Sequence, residues 1–288
     1  MNVGIIGAGI MGVGVAQSAA QAGHSVVLVD ISHEVLESAK DTLHQNIRFS
    51  AFYNKDKDLE PVEEVMKRIK FTLDYQELDH IEVLIENVPE LMDVKKDVYK
   101  TIDKICPPNC IFLVNTSCIS ITKIASITNR SEKVFGVHFM NPVPIKKTVE
   151  GIRGYHTSED TEKEALNFLA TMDKECIVVN DYPGFVSNRI SHLLMNEAAY
   201  VVQDRVAEPQ QVDDIFSKCF GHSMGPLATA DLIGLDTVVQ SLNVLYESYQ
   251  DPKYRVCPLL QRMVDAGLYG KKSGEGFYKY ETLSAIDL

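Results

Sequence analysis

Short apolar runs alternate with amphipathic segments along the chain before residue 181. The apolar runs are rich in β-branched residues, as buried strands are, and strands are predicted at 2–6, 25–30, 81–86, 111–114, 133–138 and 176–179. The segments between them have the apolar spacing of helices, which are predicted at 13–22, 34–49, 61–69, 91–105, 119–128 and 158–172. Strands that alternate with helices predict an α/β domain with a parallel sheet covered on both faces.

The pattern changes at the Asp-Tyr-Pro-Gly-Phe segment that begins at residue 181, beyond which strand patterns disappear. Helices are predicted there at 185–204, 209–219, 235–249 and 259–266. A boundary near Tyr182 therefore divides the chain into residues 1–182 and an all-helical domain of residues 183–288, each of ordinary domain size. One helix face in this domain is apolar and either packs against a second copy of the chain or forms the domain's own core. Its residues are Val238, Leu242, Leu245 and Tyr246.

A glycine-rich loop, Gly7-Ala8-Gly9-Ile10-Met11-Gly12, separates the first predicted strand from the helix that follows. In this context a G-x-G-x-x-G loop binds the pyrophosphate of a dinucleotide at the helix N-terminus. Gly7 would permit the turn, Gly9 the close approach of the phosphates, and Gly12 the packing of helix on strand. The alternative is a glycine turn in a Rossmann-like domain that binds no nucleotide.

An acidic residue, Asp30, ends the second predicted strand, eighteen residues after Gly12. Dinucleotide-binding folds have a carboxylate there that binds the ribose hydroxyls of the adenosine. Asp30 is followed by Ile31 and Ser32 rather than by an arginine, so a 2′-phosphate would meet repulsion without compensation. The loop and the acid together predict NAD rather than NADP as the cofactor.

Polar residues follow later strands, where the ends of parallel strands border the ligand crevice of an open sheet. Glu90, Asn115 and Ser117 are so placed. For Ser117 the alternative is an N-cap of the helix predicted at 119–128. The apolar stripe of the helix predicted at 91–105 is expected to be core; it comprises Leu91, Val94, Val98, Ile102 and Ile105.

A histidine, His138, ends the strand predicted at 133–138, and a proline-rich turn then leads to an extended segment that brings Glu150 back twelve residues later. A histidine titrates near neutral pH, and a carboxylate on its far nitrogen selects the tautomer and strengthens the near nitrogen as a base. The two residues are therefore a candidate proton-transfer pair. The alternative is that His138 is a buried structural histidine and Glu150 a surface charge.

Composition limits the classes of function. Of the 288 residues 45% are hydrophobic and 24% charged, as in an ordinary globular protein. The net charge of -12 argues against nucleic-acid binding, which needs clustered Lys and Arg. No apolar run approaches the roughly 20 residues that span a bilayer, and the chain opens directly on a predicted strand, so no membrane association and a cytoplasmic location are expected. Six scattered cysteines without a companion His cluster predict neither a disulfide framework nor a metal site.

Six motifs combine these features: GIIGAGIMGVGVA, LIENVPE with MDVKK, NTSCISIT, GVHFMNPVP followed by VE, DYPGFVSNR and GKKSGEGFYKY. Together and in this order they resemble the 3-hydroxyacyl-CoA dehydrogenase family, also called the 3-hydroxybutyryl-CoA dehydrogenases. The resemblance implies an N-terminal Rossmann NAD-binding domain that carries the His/Glu pair, followed by a helical domain that binds substrate and dimerises. It also implies NAD-dependent oxidation of a 3-hydroxyacyl thioester, or the reverse, with a short substrate such as 3-hydroxybutyryl-CoA.

The resemblance implies roles for single residues. His138 matches the catalytic base and Glu150 the acid that orients it. Ser117 and Asn188 match residues that position the substrate oxygen and the histidine, and Asn141 matches an asparagine near the same site. The predicted cofactor-binding residues are Gly7, Gly9, Gly12, Asp30, Glu90, Lys95 and Asn115.

Two segments depart from the family's pattern, and both concern the substrate. Between Gln45 and Asp58 the family has a Lys-rich helix and loop for the CoA phosphates, whereas this chain has aromatic residues and mixed charges. Lys55 remains a candidate for binding the CoA. After the Pro-Val-Pro turn the chain has Lys146-Lys147-Thr148 in place of Met-Lys-Leu, and a polar, basic lining suits a short or oxygenated acyl group.

These departures leave the thioester carrier open. One group similar to this family oxidises small hydroxyacyl units such as glyceryl on an acyl carrier protein, in polyketide or peptide biosynthesis. An alternative of another class is a non-catalytic NAD-binding protein with a structural or sensing role. The joint presence of His138, Glu150, Ser117 and Asn188 argues against that role, because function resides in the site rather than in the fold. A homodimer is expected.

Overall fold

The computed structural model describes residues 1–53 and 60–280, with side chains described up to residue 50 and from residue 60 onward. The first of two compact units covers Met1–Tyr182, and the second begins at Pro183. The charged turn predicted at 54–58 and the candidate CoA ligand Lys55 lie outside the described residues.

The first unit is built on one eight-stranded sheet with the order β3-β2-β1-β4-β5-β6-β7-β8. The strands are β1 (Asn2–Ile6), β2 (Ser25–Val29), β3 (Ile69–Thr72), β4 (Val83–Glu86), β5 (Ile111–Asn115), β6 (Val134–His138), β7 (Thr148–Arg153) and β8 (Glu175–Asn180). The first six strands are parallel, β7 is antiparallel to β6, and β8 is parallel to β7. The predicted α/β class is confirmed.

The helices of the first unit are α1 (Ile10–Gln21), α2 (His33–Tyr53), α3 (Val62–Met66), α4 (Met92–Ile105), α5 (Ile121–Ala125) and α6 (Glu159–Thr171). Strands in the middle of the sheet are covered by helices on both faces, so β4 is buried along its whole length. This double burial explains why β4 and β5 are apolar runs rather than alternating ones. Because β1, β2, β4, β5 and β6 are parallel, their carboxyl ends lie at one edge of the sheet.

Two predictions for the first unit are wrong in detail. The helix predicted at 61–69 ends at Met66, and Ile69 begins the edge strand β3, which pairs with β2. The predicted core stripe of α4 is wrong at its N-terminal end, since Leu91 is 54% exposed and Val94 37% exposed. Ile102 is fully buried as predicted, and the other buried residues of α4 are Lys95 and Tyr99. A lysine takes a core position that the apolar pattern does not reveal.

In the part that the structure describes, the second unit consists of helices joined by loops, with isolated β-bridges only between Gly270, Glu275 and Lys279. Its helices are α7 (Ser187–Gln203), α8 (Pro209–Phe220), α9 (Pro226–Ile233), α10 (Leu235–Tyr249) and α11 (Pro258–Asp265). Helix α9 lies in a segment where no helix was predicted. On α10, Val238 and Leu242 belong to the core of this unit and Leu245 is buried, whereas Tyr246 is 40% exposed. Most of this apolar face is thus the chain's own core.

The C-terminal GKKSGEGFYKY motif is attached to the second unit by a buried aspartate of α9. Asp231 Oδ1 accepts a hydrogen bond from Phe277 N, and Oδ2 accepts from Tyr278 N and from the Tyr280 hydroxyl, all at 3.0 Å. A Cβ at Gly276 would lie 2.2 Å from Asp231 Oδ1, so the close approach requires glycine. Burial raises the pKa of Asp231, and these hydrogen bonds oppose the rise. The motif therefore completes the fold of this unit.

Candidate active site

The glycine loop has the geometry that a dinucleotide site needs. Gly7 has a φ of +90°, a conformation that favours glycine. A Cβ at Gly12 would lie 1.7 Å from the Gly7 carbonyl oxygen, so α1 packs closely against the loop. A Cβ at Gly9, the N-cap of α1, would meet nothing within 4 Å. Open space at Gly9 and the free end of a twelve-residue helix together fit a pyrophosphate.

Asp30 stands beside this loop, just past the end of β2. Its Oδ2 accepts a hydrogen bond from Ala8 N at 2.8 Å, and its Oδ1 accepts one from Ser32 N at 3.1 Å. The carboxylate is thus held at the turn of the glycine loop, where it can accept hydrogen bonds from ribose hydroxyls. The neighbouring Ile31 side chain is 86% exposed and supplies no positive charge for a 2′-phosphate. These residues fit NAD.

His138 and Glu150 are directly opposite each other in the antiparallel pair formed by β6 and β7. His138 Nδ1 lies 3.2 Å from Glu150 Oε2, and each residue is only 8% exposed. The carboxylate accepts from Nδ1–H, which assigns the ring tautomer and leaves Nε2 as the basic nitrogen. Glu150 is therefore not a surface charge, and the two residues have the arrangement of a proton-transfer pair.

Ser117 lies on the turn that follows β5. Its hydroxyl is 3.2 Å from His138 Nε2. The N-cap of α5 is Ser120, whose side chain accepts from Lys123 N, so the alternative role of Ser117 as the cap is wrong. The structure thus brings Ser117, His138 and Glu150 into one line of polar contacts.

Glu90 holds the turn that carries Ser117. Its Oε1 accepts a short hydrogen bond from the Thr116 hydroxyl. The same oxygen accepts from the backbone N of Ser117 at 2.9 Å, of Cys118 at 2.9 Å and of Ile119 at 3.3 Å. One carboxylate therefore accepts from four donors of a tight turn, and the Thr116 hydroxyl oxygen is a second acceptor for Cys118 N and Ile119 N.

The other predicted cofactor-site residues adjoin this turn. The Asn115 amide donates to Asn87 Oδ1 at 2.7 Å, and its Oδ1 accepts from Phe139 N at 3.3 Å. Asn115 thereby connects the ends of β5 and β6. Lys95 is fully buried, and its ammonium donates to the Asn115 carbonyl at 3.0 Å and to Glu86. Its position makes it part of the framework of the site.

A second buried lysine, Lys174, is not among the residues predicted from the sequence. Its ammonium donates to the carbonyls of Val143 at 2.6 Å and Lys146 at 2.7 Å, in the loop between β6 and β7. Burial lowers the pKa of Lys174. Val143 in turn packs against α1, where a Cβ at Gly14 would lie 3.0 Å from the Val143 Cβ. Lys174 thus holds the loop that joins His138 to Glu150. Its position just after the helix α6 is the one feature of the sequence that could have indicated it.

The remaining candidates lie on other segments. Asn141 is exposed in the loop after β6. Asn188 belongs to the first turn of α7 in the second unit, where its backbone carbonyl accepts from His192 Nδ1 at 3.0 Å. Their predicted contacts with substrate stay predictions.

The fold and this site define a class of α/β dehydrogenase, with a dinucleotide loop at one end of a parallel sheet and a histidine–carboxylate pair at the same edge. The comparisons with known proteins name the family. Residues 2–182 match the model of the 3-hydroxyacyl-CoA dehydrogenase NAD binding domain, and residues 184–280 match that family's C-terminal domain. The chain belongs to the 3-hydroxyacyl-CoA dehydrogenase family.

Individual relatives agree with the family match over nearly the whole chain. A probable 3-hydroxybutyryl-CoA dehydrogenase of Bacillus subtilis (strain 168) is 45% identical over 277 residues, which cover 96% of each chain. One of Deinococcus radiodurans is 43% identical over 280 residues, which cover 97% of this chain and 100% of the relative. The crystal structure of the (S)-3-hydroxybutyryl-CoA dehydrogenase of Ralstonia eutropha superposes with a TM-score of 0.93 at 40% identity, covering 97% of this chain and 99% of that one.

These matches confirm the family and the fold class predicted from the sequence, and NAD is the cofactor of the domain that matches. Two further findings concern the described residues alone. No helix within residues 1–53 or 60–280 is long and apolar enough to cross a membrane. In the same ranges, His, Cys, Asp and Glu side chains do not gather in groups of three or more that could hold a metal ion.

Proposed function

We propose that this chain interconverts a short 3-hydroxyacyl-CoA thioester and its 3-oxoacyl-CoA counterpart, with 3-hydroxybutyryl-CoA as the model substrate. The observation that carries the proposal is the line from Ser117 through His138 to Glu150, with 3.2 Å at each step. The acyl group is inferred from relatives named 3-hydroxybutyryl-CoA dehydrogenases. The basic, exposed Lys146 and Lys147 support a short or polar acyl group rather than a long chain.

The proposed chemistry is a proton transfer coupled to hydride transfer. His138 Nε2 takes the proton of the 3-hydroxyl, and Glu150 stabilises the imidazolium that forms. Ser117 holds the substrate oxygen beside Nε2. NAD, held by the glycine loop and Asp30, supplies the acceptor for the hydride from C3. In the reverse direction the imidazolium protonates the developing alkoxide, and such general acid–base work contributes about 10²–10⁴ in rate.

We also propose that the chain forms a homodimer through its second unit. The support is a set of large apolar side chains that this unit exposes, of which Ile190 is 63%, Phe220 68% and Leu232 54% exposed. Where exposed apolar side chains form a contiguous patch, the patch marks a protein interface. The acyl-carrier-protein substrate and the cytoplasmic location stay predictions from the sequence.

The proposal is tested by NADH absorbance in the reductive direction. Acetoacetyl-CoA, acetoacetyl-phosphopantetheine and the acetoacetyl carrier protein are assayed in parallel at equal concentration. Fast turnover of the CoA thioester is the expected result. Turnover of the carrier-bound form alone would assign the enzyme to a biosynthetic assembly line, and NADH binding without turnover of any of the three would favour the non-catalytic alternative.

A further inference from the structure

A fully buried ion pair connects β4 to α4 next to the turn that carries Ser117. Glu86 ends β4, Lys95 lies in the first turn of α4, and neither side chain is exposed. The Lys95 ammonium donates to both Glu86 carboxylate oxygens at 2.9 Å and to the Asn115 carbonyl at 3.0 Å. The sequence predicts no role for Glu86, and the proposed chemistry does not use this residue.

A second carboxylate competes for the same ammonium. Glu90 Oε2 lies 3.7 Å from Lys95 Nζ, beyond hydrogen-bond distance, while Glu90 Oε1 accepts from the four donors of residues 116–119. Of the two carboxylates near it, Lys95 is therefore hydrogen-bonded to that of Glu86 and not to that of Glu90. With Lys95 hydrogen-bonded to Glu86, Glu90 remains bound to the turn of residues 116–119.

We propose that Glu86 is a positioning residue: by holding the Lys95 ammonium it keeps the Glu90 carboxylate on the turn that presents Ser117 to His138. A buried ammonium that loses its partner must find another, because an unpaired charge is poorly tolerated in the interior. Glu90 is the neighbouring carboxylate. If Glu90 moves onto Lys95, the turn loses the carboxylate that accepts from Ser117 N and from the Thr116 hydroxyl, and Ser117 loses its position.

The surroundings of Glu86 make a clean substitution possible. Val88 N donates to Glu86 Oε1 at 2.7 Å, and a glutamine can retain that acceptor while it removes the charge. The fully buried Tyr99 lies close by, and burial, aided by the charge of Glu86, raises the pKa of its hydroxyl. A tyrosine hydroxyl is neutral near pH 7, so Tyr99 cannot replace the missing carboxylate.

The test compares the wild type with E86Q, K95M and the double variant E86Q/K95M. In E86Q we expect kcat to fall about 10- to 100-fold, the loss typical of a misplaced catalytic group. In the double variant the competing ammonium is gone, Glu90 returns to the turn, and kcat rises above that of E86Q. Any contact between Lys95 and NAD appears separately, as a raised KM for NADH in both variants that lack the lysine. E82Q is the control, since Glu82 is an exposed glutamate at the other end of β4.

A second measurement does not depend on activity. Amide hydrogen exchange of residues 117–119 should be faster in E86Q and return to the wild-type rate in E86Q/K95M. Wild-type kcat and exchange in E86Q, or a double variant no better than E86Q, would overturn the inference and leave Glu86 a purely structural residue. The inference rests on the proposed function, but the two can fail separately. Absence of wild-type turnover overturns the function, whereas the exchange pattern still decides the role of Glu86.

Discussion

Carboxylates accept hydrogen bonds from backbone amides in two regions of this molecule, and the regions differ in what the bound segment presents. In the first unit Glu90 holds a turn whose Ser117 hydroxyl lies 3.2 Å from His138. In the second unit Asp231 holds the C-terminal segment, whose Tyr280 hydroxyl is used to bind Asp231 itself. Both regions contain motifs by which the family is recognised. A motif therefore identifies the family, but its role depends on whether the segment it holds presents a reactive side chain.

The pKa shifts of buried carboxyls in the two regions do not distinguish a functional role from a structural one either. Burial raises the pKa of Glu86 near the proposed site, where Lys95 opposes the rise. Burial also raises the pKa of Asp231, where hydrogen bonds from amides and a hydroxyl oppose it. A raised pKa of a carboxyl group therefore does not by itself distinguish a functional region from a structural one. The two regions are distinguished by what the neighbouring residues contact.

The largest effect is expected from H138Q. A glutamine can retain a hydrogen bond to Glu150, but it cannot take a proton, so kcat should fall on the order of 10³-fold or more. NADH binding, measured by calorimetry, and the denaturant midpoint should stay at wild-type values. The exposed His80 supplies the control variant H80Q, which should change none of these. Near-normal turnover by H138Q would disprove the assignment of the base.

D231N should have the opposite effects: a lower free energy of unfolding and an unchanged kcat. The introduced amide would direct an NH₂ group at donors that now bind a carboxylate, so we expect the free energy of unfolding to fall by about 2–3 kcal/mol. The kcat of the folded protein should be unchanged, because the Asp231 carboxylate binds the C-terminal segment of its own unit. Denaturant unfolding measures the first quantity and steady-state kinetics the second.

D214N provides the control for this prediction. Asp214 is on α8, and its carboxylate pairs with Lys218 at the surface. D214N should leave the unfolding midpoint unchanged, because surface ion pairs contribute little. A large loss of kcat in folded D231N would remove the distinction between the two regions.

Much of the fold follows from local pattern, and the exceptions have physical causes. Strands such as β4 and β5 are buried on both faces, which gives continuous apolar runs that are easily recognised. The edge strand β3 is only four residues long, contains a lysine and follows a helix closely. Helix α9 is eight residues long and lies between two glycines, which are the usual signals of a loop.

The candidate site was predictable where it depends on neighbours in sequence. His138 and Glu150 are joined by one loop, so their spacing indicated that they meet. Glu86 and Lys174 were not found, because their roles depend on partners that only the folded chain supplies. A buried lysine also interrupts the apolar pattern that identifies a helix face, which is why Lys95 is not predicted as a core residue of α4. Polar residues in the interior are thus the part of a site that pattern alone reveals least.

The smallest effects are expected from S117A and S120A, which compare a catalytic and a structural role within one short segment. Ser117 contacts His138, so its removal should lower kcat about tenfold, the equivalent of one hydrogen bond, with little change in stability. Ser120 caps α5 and donates to Asp181 Oδ2 at 2.8 Å, so S120A should cost about 1 kcal/mol of stability and leave kcat within about twofold of wild type. Steady-state kinetics and thermal unfolding of both variants measure the two effects. If S117A instead loses stability and keeps its kcat, Ser117 supports the turn and takes no part in the reaction. Ser117 and Ser120 would then both have structural roles.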